Sequence, residues 1–144
     1  MGIFDALDIS ASGLIAERTR MDVTSQNLAN AQSSGYRRQD VVVRQAGGGF
    51  ASVLGQAIGA GTPAGGGTGR GVEVQEVVTD QSPQRRVYDP GHPDADAQGY
   101  VSLPNVNAVS EMTDLISASR AYEANVTAMN TAKQMFSKTL ELLR

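Results

Sequence analysis

Two stretches of this chain repeat apolar residues every seven positions, and the stretch between them does not. In residues 3–31, which contain no Pro, Leu7, Leu14, Met21 and Leu28 recur at that spacing. Phe4, Ala11, Arg18 and Ser25 complete a three-four alternation, of which only the first two are apolar. The pattern predicts a helix with a heptad seam that weakens toward its C-terminal half. A second, fainter stripe runs through Ile9, Ala16 and Val23. Its offset of two positions places it about 200° around the helix. A helix apolar on two sides touches neighbours on two sides. Gly13 lies within it at a cost of roughly 1 kcal/mol relative to Ala. With Ser10, Ala11, Ser12 and Ala16 it makes a small-residue patch that another backbone can approach. The helix is expected to stop near Asn30, before Ser33-Ser34-Gly35.

Residues 108–143 carry the stronger signal. Leu115, Tyr122, Met129, Phe136 and Leu143 recur every seven, with Met112, Ser119, Val126, Lys133 and Leu140 between them. The alternation persists for four heptads without Pro or Gly. Asn107 suits the N-cap, Glu111 and Asp114 the first turns, and Lys138 and Arg144 the end. At 1.5 Å per residue the two helices would measure about 43 and 54 Å. Both exceed a compact domain of this length, whose radius of gyration is roughly 15 Å. An elongated pair follows, with outer faces that need other chains.

Between them the period changes. Tyr36–Gln45, with Val41-Val42-Val43, reads as a strand; so do the stretch around Val72, Val74, Val77 and Val78, then Arg85–Tyr88 and Gly99–Leu103. Asp89-Pro90-Gly91 and Gln98-Gly99 read as turns. Gly47–Gly71 reads as a flexible loop, with a short helix around Ala51–Ile58. The expected fold is therefore mainly α with a small β-rich insert, its two long terminal helices forming a coiled-coil pair in an elongated subunit. The expected divisions are a helix over 1–35, an insert over 36–107 containing a Gly-rich loop at 46–71, and a helix over 108–144. Leu7, Leu14, Met21 and Leu28 are expected to meet Leu115, Tyr122, Met129, Phe136 and Leu140 within the subunit. Ile9, Ala16, Val23 and the amides of Asn27 and Asn30 are expected to face other subunits.

Composition narrows the function. A net charge of -3, with charged residues at 19% and no block of one sign, gives no footprint for nucleic acid or an anionic membrane. The chain has no Cys, so disulfides, thiolate metal sites and a Cys nucleophile are excluded. No apolar run approaches the roughly 18 residues of a membrane span. The acidic start, Met1-Gly2-Ile3-Phe4-Asp5, lacks the basic region of a Sec-type signal peptide, and Ala6 fails the myristoylation pattern.

Candidate chemistry fares poorly. Gly59-Ala60-Gly61-Thr62-Pro63-Ala64 matches the dinucleotide pattern in letters only, because Pro63 and Gly65-Gly66-Gly67 forbid the helix that must cradle the pyrophosphate. Asp94-Ala95-Asp96 resembles the start of a calcium loop, but Asn105 stands where the bidentate Glu belongs. His92 is the only histidine, so a triad or a histidine-rich metal site has no second candidate. Asp89, Pro90, Gly91, His92, Pro93 and Asp94 read instead as a structural turn. No catalytic, cofactor-binding or metal-ligating residue is expected. Arg37-Arg38 and Arg85-Arg86 suit a solvated strand edge or a carboxylate on a neighbouring subunit.

Asn27-Leu28-Ala29-Asn30-Ala31 is unusual at a helix end, and Ser33-Ser34-Gly35-Tyr36-Arg37-Arg38 follows it. Together they resemble the motif shared by the axial proteins of the bacterial flagellum. Asp8–Leu14 with Arg20–Val23, Tyr88–Asp96, Gly99-Tyr100-Val101 leading to Pro104-Asn105-Val106-Asn107, and Arg120–Asn125 resemble the short proximal-rod members of that family in particular. The resemblance covers about 1–45 and 71–144, and residues 46–70 match nothing in it. It implies a structural subunit of the basal-body rod and no enzyme. Its terminal helices would assemble around the axial export channel and transmit torque, with the insert outside. It implies copies of itself, other rod proteins and the basal adaptor FliE as neighbours. It further implies a place in the rod within the periplasmic space, reached through the flagellar type III export apparatus without a cleaved signal and without membrane insertion. The rival from another class is a soluble helical adaptor or export chaperone that binds partner helices.

Overall fold

The computed structural model describes residues 3–46 and 71–142. Helix α1 spans Ile3–Ala29 and helix α2 Ala108–Leu142. Four strands lie between them: β1 (Gln39–Gln45), β2 (Val72–Thr79), β3 (Arg85–Tyr88) and β4 (Tyr100–Leu103). The short helix expected around residues 51–58, and most of the Gly-rich loop, fall outside the described residues. The chain is mainly helical, with two small antiparallel sheets as its insert. The first strand begins at Gln39 rather than Tyr36: the Tyr36 carbonyl and the Arg38 amide bond to side chains outside the hairpin, and only the Arg38 carbonyl still reaches across it, to the Asp80 amide at 2.8 Å.

Both helix ends are set by asparagine. Asn107 accepts the Val109 and Ser110 amides at 3.0 and 3.4 Å, the bonding of an N-cap residue. Asn30 donates its side-chain amide to the Gln26 carbonyl at 2.9 Å and accepts the Ser33 hydroxyl at 3.2 Å. It therefore helps to finish α1 locally.

The helices pack side by side and antiparallel. A Cβ built on Gly13 would stand 2.9 Å from the Asn125 amide nitrogen, so the helices approach closely there. Asn27 bonds Glu111. From Gly13 to Asn27 the chain advances fourteen residues, while from Asn125 to Glu111 it retreats fourteen. This register sets position 135 level with position 3, where the description of α1 begins. The last two turns of α2 run past it. Phe136 and Leu140, expected inside the seam, are accordingly 36% and 52% exposed. Leu115, Tyr122 and Met129 lie half-buried on the side of α2 that also carries buried Ala118 and Ala132. Leu7, Leu14, Met21 and Leu28 are each half-buried rather than buried.

The second stripe of α1 has a partner within the same chain. β1 and β2 form a hairpin whose register passes from Val42↔Glu76 to Val43↔Val74, leaving Gln75 as the extra residue of a bulge. This hairpin lies against α1. Gly71 comes close to the Ile9 backbone, and the Val72 amide donates to the Ser12 hydroxyl at 3.1 Å. Val23, Thr24 and Val41 line one cleft of about 270 Å³. Ala16 and Val23 are buried, and Ile9 is half-buried. The expectation that Ala16 and Val23 face other subunits is therefore corrected: the insert folds back over them.

Strands β3 and β4 pair from Arg85↔Leu103 to Tyr88↔Tyr100. Val101 is buried, and the Gly35 amide donates to the Ser102 carbonyl at 3.2 Å, joining this hairpin to the end of α1.

Candidate functional site

The described core is thin. Its buried apolar residues, Ala16, Val23, Val41, Val101, Ala118 and Ala132, are all small. The largest fully buried side chains are instead Glu111 and Asn27, each 1% exposed. They meet where α1, β1 and the start of α2 converge.

Asn27 uses every hydrogen-bonding position an amide has. Its Nδ2 donates to the Gln39 carbonyl at 2.8 Å and to Glu111 Oε2 at 3.1 Å. Its Oδ1 accepts the Tyr36 hydroxyl at 2.8 Å and the Gln39 amide at 2.9 Å. Toward Gln39 the side chain thus imitates a neighbouring strand, satisfying both backbone groups on the outer edge of β1. The other oxygen of Glu111 accepts Arg38 Nε at 2.7 Å. Arg38 also pairs with Asp40 at 3.2 Å, and its amide donates to Asn105 Oδ1 at 3.1 Å. Asn105 Nδ2 is buried without a hydrogen-bond partner. The Tyr36 carbonyl accepts Gln84 Nε2 at 2.9 Å. The Tyr36 carbonyl and the Arg38 amide are thus drawn away from β2, while the Arg38 carbonyl accepts the Asp80 amide at 2.8 Å, just past the end of that strand.

The electrostatics follow from this arrangement. Burial, and next the Glu111 carboxylate, push the Tyr36 phenol above its ordinary value. The hydrogen bond to Glu111 above all raises the Arg38 guanidinium, against the opposing effect of its own burial. Asn27, expected to reach another subunit, is corrected to an internal residue. A side chain with four partners in its own chain and 1% exposure has no amide left to offer.

The turn between β3 and β4 is held by its own groups. Asp89 accepts the Gly91 amide at 3.2 Å, and His92 Nδ1 accepts the Asp94 amide at 3.1 Å. Asp94 accepts the Ser34 hydroxyl, tying the turn to the end of α1. Pro90 and Pro93 are exposed. Gly99 has φ 80, and a Cβ there would meet the Tyr88 ring at 2.9 Å, so conformation and space both require glycine. Asp96 accepts the Tyr100 and Gln98 amides and pairs with Arg86 at 2.5 Å. The Tyr100 amide first, then Gln98 and Arg86, lower its pKa. Arg86 lies 5.0 Å over the Tyr100 ring, which meets Tyr88 edge-on at 5.3 Å. No group of three or more metal-ligating side chains occurs among the described residues.

Outside this frame, α2 carries an uncovered stripe. Val109, Met112 and Ile116 are 74%, 54% and 54% exposed. Helical geometry places them about 60–180° around α2 from Glu111, Leu115 and Ala118, Met112 lying nearest at about 60° from Leu115. Met112, expected to alternate with Leu115 in the seam, is instead 54% exposed. The sequence analysis missed Glu111, Tyr36, Arg38 and Asn105 as a unit. The available signal was the row Glu111, Ala118, Asn125 and Ala132, which also recurs every seven residues. Its small and polar members carry little hydrophobic weight.

Comparison with known proteins adds an independent finding. Residues 7–37 match the model of the flagella basal body rod protein, and residues 97–142 match that of the flagellar basal body rod FlgEFG protein C-terminal region. The chain is 44% identical to the flagellar basal-body rod protein FlgC of Bacillus subtilis, covering 99% of each. It is 42% identical to FlgC of Borreliella burgdorferi, over 100% of this chain and 99% of the relative. With FlgC of Salmonella typhimurium the identity is 41%, over 99% and 98%. The polar junction joins the two matched segments: Asn27 and Tyr36 belong to the first, Asn105 and Glu111 to the second.

Proposed function

The chain belongs to the flagellar basal-body rod protein family, alongside FlgC, and from that membership we propose how it builds a rod. It is a structural subunit of the flagellar basal body. Its paired helices assemble, as a coiled coil, with copies of itself and with other rod proteins around the axial export channel. The β-rich insert lies outside, and the packed helices transmit torque. Neighbours at the base include the adaptor FliE. The subunit reaches the rod through the flagellar type III export apparatus without a cleaved signal.

The observation that carries this reading is the outward stripe of Val109, Met112 and Ile116. Three large apolar side chains on one helical face stay in water after the subunit's own helices have paired. Burying them against a neighbouring helix removes apolar surface at roughly 25 cal/mol per Å². No helix among the described residues is long and apolar enough to cross a membrane.

The test is mass spectrometry of purified hook–basal bodies and of cytosol, in cells producing either the unaltered chain or Ile116→Asp. The unaltered chain is expected in the basal body with its N-terminus intact. Ile116→Asp is expected to keep its helical circular dichroism but to be missing from the basal body, with motility lost. Full incorporation of Ile116→Asp would refute the role of this face. Recovery of the unaltered chain only in a small cytosolic complex would favour an adaptor or chaperone instead.

A further inference from the structure

The apolar rows of the two helices repeat every seven residues, and such rows are degenerate. If α2 slides by one heptad along α1, Leu115 takes the place of Tyr122, and Tyr122 that of Met129. Ala118 and Ala132, both small, resist the slide no better. Periodic packing alone therefore offers several registers of similar quality.

The buried polar junction breaks that degeneracy. Glu111 gives one oxygen to Asn27 and the other to Arg38. A slide of seven residues would bring Ala118 or Pro104 to its position. The amide hydrogen of Asn27 and the guanidinium of Arg38 would then lose their common acceptor together. Groups left unsatisfied away from water are strongly disfavoured, whereas a correctly paired buried ion pair adds little net stability over apolar substitutes. Asn27 also holds both backbone groups of Gln39, so a wrong register would disturb the seating of β1 as well. We infer that Asn27, Arg38 and Glu111 form a register lock, which selects one alignment of a helix pair whose apolar rows would accept several. The inference concerns the isolated subunit and stands apart from the assembly proposed above.

The test uses the full chain, which has no cysteine of its own. Nitroxide labels are placed on Arg18→Cys and Asn130→Cys, both exposed helical positions, and their separation is measured by pulsed electron resonance. The register above sets these positions several residues apart along the axis. A seven-residue slide then shifts their axial offset by about 10 Å. With the junction intact, one distance is expected. In the triple variant Asn27→Leu, Arg38→Met, Glu111→Leu, apolar groups replace the three side chains of the junction and no buried charge is orphaned, while the Gln39 backbone groups and the Tyr36 hydroxyl lose Asn27. Retained helical circular dichroism with a second, shifted distance population is expected. A single unchanged distance would overturn the inference. Loss of the helical signal would overturn it too, since the network would then supply stability rather than alignment.

Discussion

Asn27 is the residue on which most depends. Truncation to alanine leaves the Gln39 amide, the Gln39 carbonyl, the Tyr36 hydroxyl and one oxygen of Glu111 short of a partner. Asn27→Ala is expected to lower stability by about 2–4 kcal/mol in urea titration, within the range for breaking a buried polar network. It should therefore impair folding before it impairs any assembly. Tyr36 adds a pH dependence. Its folded pKa is raised, so the neutral phenol is the form the fold prefers. That contribution is fully present below the ordinary tyrosine value, near about pH 10, and is lost as the pH rises through the raised one. Stability should fall between those two values and level off beyond the raised one. Tyr36→Phe should lose about 1 kcal/mol at neutral pH through the missing bond to Asn27, yet fall less steeply in alkali.

At the scale of elements, Gly13 offers a graded test. Alanine would gain helix propensity of about 1 kcal/mol, and its methyl group would displace only the end of the Asn125 side chain. Gly13→Ala is expected to change the melting temperature little. Gly13→Val should destabilise by roughly 1–3 kcal/mol, because its branches reach further into the facing helix. The same close approach explains what the sequence made legible and what it hid. Period seven identified both helices and their extents within a few residues, because periodicity depends only on each helix itself. It could not assign faces. The hydrophobic weight of Leu7, Leu14, Met21 and Leu28 drew the core toward that row, whereas the deepest burial falls on Ala16, Val23 and Asn27. Part of that burial comes from β1 and β2; the fainter stripe of Ile9, Ala16 and Val23 marked that face as needing a neighbour, but no pattern within α1 identifies the insert as that neighbour. The heptads of α2 likewise hid Val109, Met112 and Ile116 as an outer stripe.

For the whole molecule, the unequal helices make a further prediction. α1 has 27 residues and α2 has 35, and the antiparallel register lets α2 extend beyond the start of α1. Trypsin acting on the isolated chain should, among sites in the helices, cut after Lys138 sooner than after Arg20, which is half-buried. The rate follows how easily each segment opens. In purified basal bodies the preference should vanish if that end of α2 is packed against a neighbour.

The junction also imposes an order in time. Asn27 and Glu111 are separated by 84 residues along the chain. A polypeptide emerging from its N-terminus, whether from a ribosome or from a narrow conduit, presents α1 long before α2 is available. Until then Asn27 can be served by Tyr36 and Gln39, but not by Glu111. α1 therefore enters its surroundings as an unmatched helix, and closing a loop of that length comes among the last steps. A chain stopped between residues 103 and 111 carries all four described strands and none of the contact between Asn27 and Glu111 that aligns its helices. Completion of the fold is tied to arrival of the final quarter of the polypeptide.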